Sequence, residues 1–65
     1  MNNFVFFLVK ILQGSTAIFY DRNGFNEIFF EADKIGIKIG QSIDGSEVLI
    51  DGYTVFINND NLFLV

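Results

Sequence analysis

The stretch EVLIDGYTVFI, residues 47–57, decides the fold class. Two runs rich in β-branched and aromatic residues flank Asp51-Gly52, a pair suited to the positive φ angles of a two-residue hairpin turn. Side chains alternate along a strand, so Val48 and Ile50 share one face, as do Tyr53, Val55 and Ile57. The opposite positions, Leu49 and Phe56, are apolar too. Strands that are apolar on both faces are expected to be covered on both.

Working outward, NNDN (58–61) is a cluster of turn formers. It leads into LFLV (62–65), with Leu62 and Leu64 on one face and Phe63 and Val65 on the other. Residues 47–65 therefore read as a three-stranded meander. Upstream, Ile35, Ile37 and Ile39 alternate with Lys34, Gly36, Lys38 and Gly40, which predicts a strand with isoleucine on one face and lysine on the other. Gly36 and Gly40 predict close approach or a bulge. IDGS (43–46) carries a further Asp-Gly turn signal, and YDRNGF (20–25) sets Asn23-Gly24 between apolar runs. FNEIFFE (25–31) puts Ile28 and Phe30 on one face, with Glu27, Phe29 and Glu31 opposite. With a tight reversal at EADK (31–34), this strand is expected to pair with the next. Glu31 then faces Lys34, Glu27 falls near Lys38, and the four charges make a solvated face.

Residues 3–12 admit two readings. As a strand, Phe4, Phe6, Leu8, Lys10 and Leu12 line one side, and Phe and Val favour this form. As a helix, Phe4, Phe7, Leu8, Ile11 and Leu12 form a stripe stopped by Gly14. The expected architecture is a single all-β domain over 1–65. It is a small antiparallel barrel or sandwich of five to seven short strands with tight Asn-Gly and Asp-Gly turns.

Composition bounds the chemistry. The core of a domain this small rarely supplies more than about 3–5 kcal/mol. With no Cys and no His among 65 residues, disulfides and thiolate or imidazole metal sites are excluded. Ser15, Ser42 and Ser46 have no imidazole to activate them. Asp44 and Asp51 each precede glycine in a turn, the calcium-loop pattern is absent, and KIGIKIG lacks the spacing of a phosphate-binding loop. The chain reads as non-enzymatic, without catalytic residues, cofactor or metal.

Eight acids against four bases give a net charge of −4, which disfavours binding to a phosphate backbone. The apolar run before Lys10 is too short to span a membrane. No basic region precedes it and no small-residue cleavage site follows. Neither nucleic acid nor membrane is expected as a partner, and a cytoplasmic location is. Abundant Asn, Ile and Phe with two alanines and no proline follow AT-rich codons, as in a low-GC bacterium or a phage.

FVFFLVKILQGSTAIFY (4–20), an apolar strand leading through Gly14 to a second strand, resembles the opening of the Sm-like family of small RNA-binding ring proteins. The resemblance implies a ring of small β-barrels. It is confined to this stretch, and the Asn23-Gly24 turn and the scarcity of basic residues depart from the pattern, so the family is not assigned.

An apolar content of 51% exceeds what so small an interior can hide, and large exposed patches mark interaction surfaces. The expected function is therefore protein–protein binding by a self-associating chain, in the setting of a phage or mobile-element modulator or inhibitor of a host protein. Tyr20, Asp21, Phe25, Glu27, Phe29 and Glu31 are the candidate protein-binding residues, because aromatic side chains dominate interface energetics. Leu49, Phe56, Phe63 and Val65, the second apolar face, are the candidates for self-association. A structural subunit of a ring or particle, and a small barrel that binds nucleic acid or a small ligand, are the alternatives.

Overall fold

The computed structural model describes residues 7–65; the readings placed on Phe4 and Phe6 lie outside the described residues. The elements in order are β1 (Phe7–Ile11), β2 (Ser15–Asp21), β3 (Gly24–Phe30), β4 (Ile35–Gln41), β5 (Gly45–Ile50), β6 (Tyr53–Asn58), a 3-10 turn (Asn59–Asn61) and β7 (Leu62–Leu64). All pair antiparallel in one sheet of order β3-β2-β6-β5-β4-β1-β7. The all-β class expected from the sequence holds, at seven strands, and residues 7–11 form a strand rather than a helix. Among the described residues the sheet is not closed, since β3 and β7 each pair on one side only.

That order dictates strong curvature. Only Leu12, Gln13 and Gly14 separate β1 from β2, which lie four places apart in the sheet. Four strand spacings measure about 19 Å in a flat sheet. The chain from Ile11 to Ser15 reaches at most about 14 Å. The sheet must therefore curl so that its two ends approach one another. Asn61, at the foot of β7, stitches this approach. Its side chain accepts from the Gln13 amide at 2.9 Å and donates to the Gln13 carbonyl at 2.9 Å and to Ser15 Oγ at 3.1 Å.

The concave side holds the core: Val9, Ile11, Ala17, Phe30, Val48, Ile50, Val55 and Ile57, with Phe19, Ile28 and Leu62 packed against it. Ser46, the buried polar side chain, donates from Oγ to Asn59 Oδ1 at 2.6 Å. Asn59 in turn donates to the Ser42 carbonyl at 3.0 Å, which holds the β4–β5 connection against the 3-10 turn.

Four sequence expectations are corrected. First, β3 and β4 do not pair. The turn at Ala32-Asp33 carries the chain across the curled sheet, so Glu27 stands opposite Ile18 and not near Lys38. Lys34 finds Asp51 at 2.8 Å instead of Glu31, and Lys38 donates to Gln41. Second, residues 47–65 are not a meander. β5 and β6 form the expected hairpin, but the Asn59–Asn61 turn delivers β7 to the far edge beside β1.

Third, the isoleucines of β4 face outward. Gly36 faces the core, where a Cβ would lie 2.6 Å from Val48 Cγ1 and 3.1 Å from Ile50 Cβ. Ile37 pairs with Leu8 on one side and Leu49 on the other, all on the convex surface. The expected bulge is present as a register shift between Lys38 and Gly40. Fourth, the turns differ from one another. Asp51 and Gly52 adopt φ of 53° and 85° as expected, whereas at the β2–β3 turn Arg22 and Asn23 are the corners and only Gly24 is positive, at 114°. The Asp21 carboxylate shifts that turn by one residue, accepting from the Asn23 amide at 2.8 Å and from Asn26 Nδ2 at 3.0 Å. Gly45 needs no positive φ and lies within β5.

The Lys34–Asp51 pair makes a prediction about pH. The Asp51 carboxylate, through its hydrogen bond first and its charge second, raises the Lys34 ammonium above its ordinary value, with Glu31 adding a smaller push and desolvation opposing. A raised lysine contributes stability that is complete below the unfolded value of about 10.4 and is lost as pH rises through the folded one. Both groups are solvent-accessible, so the effect is small. Asp51→Asn keeps a residue that tolerates the turn conformation. In urea unfolding at stepped alkaline pH, the parent's small advantage over Asp51→Asn should shrink above about pH 10.4. An advantage constant across that range would show that the ion pair contributes nothing.

Candidate functional site

Residues directly paired across a sheet share a face, so the register defines what the convex surface displays. From β3 come Phe25, Glu27 and Phe29; from β2, Thr16, Ile18 and Tyr20; from β6, Thr54 and Phe56. β5 adds Glu47 and Leu49, β4 adds Ile35 and Ile37, β1 adds Leu8 and Lys10, and β7 adds Phe63. One cross-strand row reads Leu8, Ile37, Leu49, Thr54 and carries no charge. Another reads Glu27, Ile18, Phe56, Glu47.

The structure brings most of the predicted protein-binding residues together on the β2–β3 hairpin. Tyr20 and Phe25 face one another edge to face, with ring centroids 5.7 Å apart, and are 78% and 65% exposed. Phe29 lies against Gly14, where a Cβ would meet its ring at 2.8 Å. Glu27 sits between these aromatics on the same strand face. Asp21 is engaged in shaping the turn, and Glu31 lies beyond the strand in the connection to β4.

The residues predicted for self-association are dispersed. Leu49 lies between Ile37 and Thr54, while Phe56 lies between Ile18 and Glu47 and so joins the β2–β3 aromatics. Phe63 stands opposite Lys10, whose ammonium is 5.6 Å from the ring centroid and 3.6 Å from Asp33. Val65 lies past β7 and donates its amide to the Leu8 carbonyl at 2.9 Å. All four side chains are exposed, Leu49 at 40% and Phe56 at 48%. Among the described residues, therefore, nothing covers the second face. Ile18, Ile35, Ile37 and Glu47 belong to the same surface and escape sequence reasoning, because only the β2–β6 and β4–β5 pairings place them there.

β2 and β6 are joined at a single pair, Ile18 and Phe56. The strands diverge on either side and leave two open grooves. One, of about 640 Å³, lies on the convex surface between Ile18, Tyr20, Glu47, Thr54 and Phe56. The other, of about 530 Å³, lies toward Gln13, Ser15, Asn58, Asp60 and Asn61. Among the described residues no group of three or more acids is placed to hold a metal ion, and no helix is long and apolar enough to cross a membrane. No protein family, characterised protein or solved structure matches the chain.

Proposed function

We propose that this chain acts by protein–protein binding, without catalysis, through the convex face of its sheet, and that the uncharged part of that face joins further copies of the chain. The observation that supports this reading is the imbalance of its apolar residues. Among the described residues eight hydrophobic side chains are buried, while sixteen large ones are exposed, so twice as many apolar side chains reach solvent as are enclosed. Patches beyond a few hundred Å² are uncommon on monomers and mark interaction sites. The row Leu8, Ile37, Leu49 has no carboxylate within it to repel a second copy of an acidic chain. The wider setting proposed for it is a cytoplasmic phage or mobile-element protein that modulates a host protein through the remaining aromatic part of the face.

Light scattering behind a sizing column, across a wide concentration range, tests the self-association. The parent should elute as a dimer or larger assembly. Leu49→Lys, at an exposed position whose truncation leaves the core intact, should dissociate it with an unchanged circular dichroism spectrum. A parent that stays a folded monomer at every concentration removes the self-association from the reading.

A further inference from the structure

The convex face divides by charge. In the row Glu27, Ile18, Phe56, Glu47, two apolar side chains are bracketed by two carboxylates on β3, β2, β6 and β5. Three strand spacings separate the ends of that row, about 14 Å. Among the described residues neither carboxylate has an ion-pair or hydrogen-bond partner. The lysines are occupied elsewhere: Lys10 at Phe63 and Asp33, Lys34 at Asp51, Lys38 at Gln41. Arg22 lies out at the tip of the β2–β3 hairpin. Beside the row lie Thr16, Tyr20, Phe25, Phe29 and Thr54, with Leu49 next to Glu47.

Building on the protein-binding reading, we infer that this acid-bracketed field receives a cationic protein segment. An apolar residue of the partner sits on Ile18 and Phe56, and a lysine or arginine on either side reaches Glu27 and Glu47. The dimensions agree. In an extended segment residues i, i+2 and i+4 share one face, and i to i+4 spans about 13–14 Å. A lysine, an apolar residue and a second lysine at alternate positions therefore match the row in spacing and sign. The methylene stems of such cations lie on apolar surface while their heads stay in water, and the rings of Tyr20 and Phe56 suit a guanidinium. The groove between Tyr20, Thr54 and Glu47 gives one such stem a seat. A second copy is the wrong occupant here, because face-to-face contact would gather four carboxylates on a chain already at −4. Nucleic acid and anionic lipid have the same wrong sign.

The test uses two capped pentapeptides, Lys-Ser-Phe-Ser-Lys and Glu-Ser-Phe-Ser-Glu, titrated into the 15N-labelled full chain while amide shifts are followed by NMR. Shifts should centre on Ile18, Glu27, Glu47 and Phe56 with the lysine peptide and weaken with added salt. The glutamate peptide should bind about tenfold more weakly, as should the lysine peptide toward a Glu27→Lys/Glu47→Lys variant, which is about 1.4 kcal/mol spread over two exposed pairs. Both substitutions are at exposed positions, and an unchanged spectrum away from the row verifies the fold. Equal binding of the two peptides at Ile18 and Phe56 overturns the cationic specificity and leaves the binding face standing. Absence of shifts at those residues with either peptide overturns both.

Discussion

Gly45→Ala should lower the melting temperature by about 12–24 °C, the shift that a loss of about 3 kcal/mol produces in a domain of this size. The cause is backbone proximity. Gly45 begins β5, and a Cβ there would lie 2.6 Å from two atoms of the Phe56 ring and 2.7 Å from the Ile57 carbonyl oxygen. The ring can turn away into solvent. The carbonyl cannot, because Ile57 is paired with Ser46 in the β5–β6 ladder, and Ser46 is itself fully buried and bonded to Asn59. Relieving the contact means parting the ladder at its end and releasing that serine. Against a net stability of about 3–5 kcal/mol for so small a core, much of the population would be unfolded at ambient temperature. Gly40→Ala is the control. Its Cβ would meet Glu47 no closer than 3.8 Å, and the melting temperature should hardly change. Equal damage at both sites would mean that loss of glycine in a strand, and not the Phe56–Ile57 approach, is responsible.

Gly36→Ala should be nearly as damaging, at about 2–3 kcal/mol, and it offers a sharper reading because its main obstacle can be removed. The added methyl would lie 2.6 Å from Val48 Cγ1, 3.0 Å from the Leu49 carbonyl oxygen and 3.1 Å from Ile50 Cβ. Val48 is completely buried, so Val48→Ala alone opens a void and should destabilise by about 2 kcal/mol. In the double variant the new methyl occupies part of the space that valine vacates. Chemical denaturation of the four proteins should give a favourable coupling of about 1 kcal/mol. Strict additivity would place the clash on the Leu49 carbonyl and Ile50 instead of on Val48.

These two glycines also show how far the sequence could be read. Asp51-Gly52 was legible because a two-residue turn is a local event, fixed by which residues accept positive φ. Asp44-Gly45 looks the same on paper, yet Gly45 is there for Phe56, eleven positions away, and no local rule reveals that. Asn23-Gly24 was read one residue late because Asp21 caps the turn with its own carboxylate. The Ala32-Asp33 and Asn58–Asn61 turns were found, but a turn motif tells where a chain reverses and not beside which strand it lands. That missing information inverted the face of Ile35 and Ile37 and broke the supposed pairing of Glu27 with Lys38. At the candidate site, Tyr20, Phe25, Glu27 and Phe29 were grouped correctly because one hairpin holds them. Phe56 and Glu47 complete their row only through the β2–β6 pair, which joins residues remote in sequence.

The position of β1 between β4 and β7 has a consequence for how the protein is made. The hairpins β2–β3 and β5–β6 join neighbours in sequence and can close as soon as each leaves the ribosome. β1 emerges before them all and keeps one bare edge until Leu62–Leu64 arrive to pair with Val9, Lys10 and Ile11. Pairing across so much of a chain is slow, and an unpaired apolar strand invites the wrong neighbour meanwhile. Nascent copies that hold the same strand open side by side are therefore a setting in which this protein is exposed to aggregation.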